Sequence, residues 1–275
     1  MNRPLKWMEP ASRRTLQPAL MQLVAETGQL ILPYHQTRLT VTQKNDNTPV
    51  TEADLAAHHY IVEQLARLTP DIPCLTEESP AESIHDRRCW DIYWLVDPLD
   101  GTREFINGGN DYTVNIALII DHQPVIGVIH LPVTGETWFA HQGDGAFYAD
   151  AKGTLQAIHT RSLPAVPVVA VGYRRYRGKL HEFLEKLGPH QILSHASSLK
   201  SCLVAAAQAD IYPCFGPTSE WDTAAAQCIV EQAGGQLTDL AMQPLRYNMR
   251  DTLENPSFIV TGDPAQNWQP LLLTD

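Results

Sequence analysis

Long apolar runs are missing from this chain. Residues 116–120 form one of the longest uninterrupted stretches, far short of the roughly 20 residues that a membrane-spanning helix needs. Cysteine pairing is missing as well, since Cys74, Cys89, Cys202, Cys214 and Cys228 are odd in number and widely scattered. Without a C-x-x-C pair there is neither a zinc ribbon nor a thioredoxin-like motif. Unpatterned thiols suit a reducing compartment, where Cys serves as a small apolar residue. Basic charge is scarce. Lys and Arg number 20 against 31 Asp and Glu, a formal net charge of −11, so no basic track is offered to a nucleic-acid polymer. A Gly-x-x-x-x-Gly-Lys-Thr loop is absent, which leaves a P-loop triphosphatase unsupported.

What is present is an ordinary globular composition: 275 residues, 44% hydrophobic and 19% charged, enough to bury a substantial core. Ser12-Arg13-Arg14-Thr15-Leu16 resembles a twin-arginine export start. Gln22, Glu26 and Gln29 interrupt the apolar segment behind it, and no small-residue cleavage site follows. Leu16, Leu20, Leu23, Val24, Leu30 and Ile31 recur near helical spacing instead, which predicts an amphipathic helix over 15–32. A cytoplasmic location is expected, with peripheral association with the inner membrane left open.

Thr51-Glu52-Ala53-Asp54 approximates a capping box and starts a second helix that ends before Pro70. Short β-branched and aromatic runs predict strands at 92–96, 113–120, 125–130, 137–140 and 146–148, with a tight turn at 121–124. Beyond about residue 160 the pattern alternates: strand 166–171, helix 178–187, helix 197–209, strand 211–215, helix 221–233, then strands near 236–238 and 258–260. The expected fold class is mixed α+β and α/β, in two closely packed halves spanning 1–155 and 156–275.

The strongest chemical signal is Trp94-Leu95-Val96-Asp97-Pro98-Leu99-Asp100-Gly101-Thr102. A buried strand ends in a carboxylate, turns at Pro98 and presents a second carboxylate. Two such groups around a turn can converge on a hard cation such as Mg²⁺, with the Leu99 carbonyl as a further oxygen ligand. The Gly101-Thr102 step can bring backbone N–H groups and a hydroxyl to an anion. Asp-Pro-x-Asp-Gly is also a common turn composition, so the pentapeptide alone leaves both readings open. Glu77-Glu78 follows a short strand-like run, and Trp221-Asp222 opens a helix where Asp222 reads as an N-terminal cap.

The order of these segments resembles the inositol monophosphatase-like, lithium-sensitive phosphatase superfamily. One motif matches as Val96-Asp97-Pro98-Leu99-Asp100-Gly101-Thr102 after Glu77-Glu78. Another matches as Trp221-Asp222-Thr223-Ala224-Ala225 followed by Ala233-Gly234-Gly235. Within that superfamily the chain is most similar to bacterial 3′(2′),5′-bisphosphate nucleotidases of the CysQ type. That narrower likeness rests on Asp46-Asn47-Thr48-Pro49-Val50-Thr51-x-Ala53-Asp54, Arg103-Glu104-Phe105-Ile106, Thr113-Val114-Asn115-Ile116-Ala117-Leu118, Ser197-Ser198-Leu199-Lys200 and Phe215-Gly216-Pro217-Thr218. The likeness runs from about residue 16 to 261.

The resemblance implies a layered αβαβα sugar-phosphatase-like architecture and a site holding two or more Mg²⁺ ions. Glu77, Asp97, the Leu99 carbonyl, Asp100 and Asp222 would ligate them. Thr102, with Asp54 behind it, would orient and deprotonate the attacking water, and Glu77 would hold that water from the other side. The substrate contacts implied are Glu77, Leu99, Asp100, Gly101, Thr102 and Asp222, with Ser198 and Lys200 toward the sugar or second phosphate. The implied reaction converts adenosine 3′,5′-bisphosphate to AMP and phosphate, a clean-up step linked to sulfate assimilation. Ala196, Cys214 and Ala226 depart from the expected Gly, Arg and Gly. Alternatives are an inositol or fructose phosphate phosphatase, or a catalytically silent metal-binding interaction protein. Lys200 reads equally as a solvated helix-surface cation, and the basic run 173–177 as a solvated loop or a patch near the pocket.

Overall fold

The computed structural model describes residues 7, 9–35, 41–43, 49–173 and 178–272. The segments 46–48 and 174–177 singled out above lie outside the described residues. The first half runs α1 (Pro10–Arg14), α2 (Gln17–Ile31), β1 (Val41–Gln43), β2 (Pro49–Thr51), α3 (Glu52–Leu68), β3 (Cys74–Thr76) and α4 (Ala81–Asp86). It continues through β4 (Ile92–Asp100), α5 (Thr102–Ile106), β5 (Thr113–Ile120), β6 (Gln123–Leu131), β7 (Glu136–His141), β8 (Gly145–Ala149) and β9 (Leu155–Ile158). The chain goes on as β10 (Val168–Val171), α6 (Lys179–Leu187), β11 (Gln191–Ser194), α7 (Leu199–Ala205) and β12 (Ile211–Cys214). It finishes with α8 (Glu220–Gln232), β13 (Gln236–Asp239) and β14 (Phe258–Thr261).

Strands β3 to β9 form a seven-stranded sheet in sequence order. All its pairings are antiparallel except β3 with β4. A five-stranded sheet follows in the order β11-β10-β12-β14-β13. The β5–β6 hairpin turns on Asp121 and His122, both at positive φ (47° and 67°), as a two-residue primed turn requires.

Alternation along β5 explains the layering. Val114, Ile116, Leu118 and Ile120 face one way and pack with Leu20, Val24 and Ile31 of α2 and Ala57, Ile61 and Leu65 of α3. Ala117 and Ile119 face the other way, toward α7, α8 and the inner side of the smaller sheet, including Leu237 and Val260. A third cluster covers the outer side of that sheet, where Val169, Val171, Ile211 and Ile259 meet Phe183 of α6 and Trp268. The order of layers is therefore αβαβα, as expected.

Two differences from the sequence reading have local causes. Helix α7 stops at Ala205 rather than 209: Ala207 adopts φ 57°, and the N–H groups of Gln208 and Ala209 both turn back onto the Leu203 carbonyl. Strand β4 does not turn at Pro98. It runs on to Asp100, and the register with β5 shifts between Asp97 and Asp100, a bulge rather than a turn. Proline lacks the N–H that a regular ladder would use, and the bulge accommodates it.

Helix α8 lies across the larger sheet on small side chains, since Ala224, Ala225 and Ala226 are all buried. Gly127 of β6 allows this approach. A Cβ there would stand 2.3 Å from the Ala225 carbonyl oxygen and 3.0 Å from the Cys228 Cβ. Gly127→Ala must push α8 outward. A loss of roughly 1–3 kcal/mol is expected, read from chemical denaturation, together with lower activity because α8 carries Asp222. A variant with the wild-type midpoint and wild-type turnover contradicts this account of the contact.

Candidate active site

The alternation that builds the core also aims the acidic residues. Tyr93 and Leu95 of β4 pack in the layer toward α7 and α8, and Asp97, two residues on, faces the same way. It is opposite Asn115 of β5. Strand β3 is parallel to β4 with Thr76 beside Val96, and the Glu77 N–H donates to the Val96 carbonyl at 3.1 Å. Glu77 therefore lies next to Asp97 across the sheet. The bulge then brings Asp100 back toward the same space.

Asp222 arrives from the helix layer. Its expected place as an N-cap is corrected: Ser219 is the N-cap of α8, and Asp222, the third residue of the helix, closes a capping box with it. The Ser219 N–H donates to Asp222 Oδ2 at 2.8 Å. The same device appears at α3, where Thr51 caps and Asp54 Oδ2 accepts from the Thr51 N–H at 2.8 Å and its hydroxyl at 2.5 Å. In each box one carboxylate oxygen is spent on the helix end, which fixes the direction of the other. For Asp54 that other oxygen lies 3.1 Å from Thr102 Oγ1, and Thr102 Oγ1 lies 3.1 Å from the Leu99 carbonyl.

Asp97, Asp100 and Asp222 each present an oxygen, and these atoms lie within 4.8 Å of one another. They line a cavity of about 700 Å³, shared with Glu77, Leu99, Gly101, Thr102, Ser198 and Lys200. Thus every residue that the resemblance implies as a ligand, substrate contact or catalytic group borders one space except Asp54, which stands behind Thr102 and is buried. A cavity of this size suits a small organic phosphate.

The electrostatics are those of like charges held together. Burial, then the charges of Glu77, Asp100 and Asp222, pushes the Asp97 carboxyl well above the usual carboxylate range. Burial and the charge of Asp100 push Asp222 up to about 8, against the pull of its bond from Ser219. Burial also raises Asp54, opposed by the donors of Thr51 and Thr102. Four carboxylates around a buried point are unfavourable unless a cation joins them. An all-oxygen donor set of this kind fits Mg²⁺.

Lys200 is not a solvated cation. It is buried, its Nζ donates to the Ser197 carbonyl at 2.6 Å, and it sits 4.9 Å from the Tyr212 ring centre. Desolvation lowers its pKa. Asn115, quoted above only as part of a likeness, and Tyr212, which lines the cavity, were given no role from the sequence. Asn115 was findable in principle, as an amide in a strand that is apolar from Ile116 onward.

A model of the inositol monophosphatase family matches residues 12–274. Among curated relatives, the 3′(2′),5′-bisphosphate nucleotidase CysQ of Escherichia coli K12 is 43% identical over 242 residues, 87% of this chain and 97% of that protein. Its namesake in Aggregatibacter actinomycetemcomitans is 40% identical over 243 residues, 88% and 90% of the two chains. The crystal structure of CysQ from Bacteroides thetaiotaomicron superimposes with a TM-score of 0.76 at 34% identity, covering 87% of this chain and 94% of that one. An inositol monophosphatase from Thermotoga maritima gives 0.73 at 26%, covering 90% and 91%. With its layers, its acidic cavity and these likenesses together, the chain belongs to the inositol monophosphatase family.

Proposed function

We propose that this protein is a magnesium-dependent 3′(2′),5′-bisphosphate nucleotidase that hydrolyses adenosine 3′,5′-bisphosphate to AMP and phosphate. The observation that carries the reading is the meeting of Asp97, Asp100 and Asp222 in a cavity that Thr102 also lines, with Asp54 hydrogen-bonded behind it. The 36–43% identity to proteins named as such nucleotidases supports the substrate. Glu77, Asp97, the Leu99 carbonyl, Asp100 and Asp222 would hold the ions. Bound there, Mg²⁺ supplies charge neutralisation for the phosphoryl group and lowers the pKa of an attacking water.

The chain's own residues do the rest. The Thr102 hydroxyl, between Asp54 Oδ1 and the Leu99 carbonyl, takes a fixed place from which it can accept from a water while donating to Asp54. A carboxylate whose pKa is raised by burial is a stronger base for that relay. Lys200, buried in the cavity lining, offsets part of the surrounding negative charge. Association with sulfate assimilation, lithium sensitivity and a cytoplasmic place belong to the same reading.

Two outcomes test it. With Mg²⁺ present, phosphate release from adenosine 3′,5′-bisphosphate should exceed release from myo-inositol 1-phosphate or fructose 1,6-bisphosphate; the reverse order assigns the protein to another branch of the family. Asp100→Asn should lower turnover by roughly a hundredfold to a thousandfold with an unchanged circular dichroism spectrum. Near-normal turnover would remove Asp100 from the chemistry.

A linked prediction concerns stability. Asp222 ionises near 3.8 in an unfolded chain and near 8 in the folded one, so between these values the folded state holds the extra proton. Stability without divalent ions therefore falls as pH rises through that window. Asp222→Asn keeps an acceptor for the Ser219 N–H but removes the charge. In chelator, its melting temperature at pH 8 should exceed that of the wild type, and its fall with pH should be shallower. Added Mg²⁺ should stabilise the wild type at that pH and leave the variant almost unmoved. A metal-free variant less stable than the wild type contradicts the repulsion described here.

A further inference from the structure

Asp100 Oδ2 lies 2.7 Å from the Ser198 backbone N, 2.7 Å from Ser198 Oγ and 3.2 Å from Asn115 Nδ2. The Asn115 amide also donates to Ser198 Oγ at 2.9 Å, and that Oγ lies 2.8 Å from the Asp222 carbonyl oxygen. Side chains from β4, β5 and the start of α7 thus close a triangle whose Ser198 corner touches the backbone of α8. With the Asn115 amide donating into Oγ, the single hydroxyl hydrogen of Ser198 is free for Asp100 or for the Asp222 carbonyl.

Asn115 and Ser198 are 1% and 5% exposed. Along β5 the same-face neighbours of Asn115 are Thr113 toward the site and Ala117 and Ile119 toward the core, so the amide stands where the face passes from polar to apolar. Asn115 Oδ1 has no partner among the described residues, a cost the fold carries. An amide placed at that cost has a task besides packing.

We propose that Asn115 and Ser198 are positioning residues for Asp100: they pin Oδ2, leave Oδ1 to face a cation, and fix the spacing between Asp100 on β4 and Asp222 on α8. The inference rests on the metal-holding role proposed above. It also gives Ser198 a different task from the sugar or phosphate contact expected from the sequence, because its N–H and hydroxyl are taken up by Asp100 and the Asp222 carbonyl.

The test is Mn²⁺ titration of the substrate-free protein, followed by electron paramagnetic resonance. Ser198→Ala and Asn115→Ala should each bind Mn²⁺ about tenfold to a hundredfold more weakly than the wild type. Both should need correspondingly more Mg²⁺ for half-maximal turnover while KM for the nucleotide stays near its original value. In an Asp100→Asn background, adding Ser198→Ala should cost little further affinity, because the group it positions is already altered. If Ser198→Ala loses its fold by circular dichroism, Asn115→Ala carries the same test. Wild-type Mn²⁺ affinity in the variants, with a raised KM, overturns the inference and makes Ser198 a substrate contact. A wild type that takes up no Mn²⁺ overturns the metal reading itself, which is a separate result.

Discussion

Negative charge that cannot disperse organises this molecule. Asp97 is buried and Asp222 half-buried beside Asp100 and Glu77, and burial together with the neighbouring charges raises the carboxyls of Asp97 and Asp222. Nothing in the packing of the two sheets requires this, and apolar side chains at those points would give a more stable protein. In the proposed reading a small, hard cation would relieve that strain, so the cost of the cluster and its use are the same interaction.

The fold serves to bring that charge together from distant parts of the chain. Asp97 and Asp100 are set by a strand and its bulge, Asp222 and Asp54 by two capping boxes of the same design. A capping-box carboxylate has one oxygen committed to the helix end, so its second oxygen is aimed without a further support. Gly127 and the run Ala224-Ala225-Ala226 let the helix carrying Asp222 come close enough to meet the strand carrying Asp97. Packing and chemistry therefore depend on the same few small residues.

Much of this was legible in the sequence. Period-two and period-3.6 patterns located the major strands and helices, and the Asp-Pro-Leu-Asp-Gly-Thr and Trp-Asp segments located the cluster. What escaped was set by tertiary contact. The β4 bulge reads as a Pro-Asp turn until its register with β5 is known. Edge strands β9 and β11 are short and largely exposed, so they carry little of the apolar pattern that marks a strand. Asp222 looks like a cap because Ser219 is hidden by the turn before it. Lys200 looks solvated because a single Lys on a helix usually is, whereas in the fold its ammonium meets the Ser197 carbonyl and the Tyr212 ring. Ser198 was marked from resemblance, but its hydrogen-bond partners are set by strands and helices far away in sequence.

The central claim is that three aspartates from two separate elements hold one cation between them. Crystals grown with Mn²⁺ and recorded at a wavelength where manganese scatters anomalously test it directly. The account predicts an anomalous peak bounded by Asp97, Asp100 and Asp222. A map with manganese bound elsewhere and no peak among these three carboxylates would contradict it.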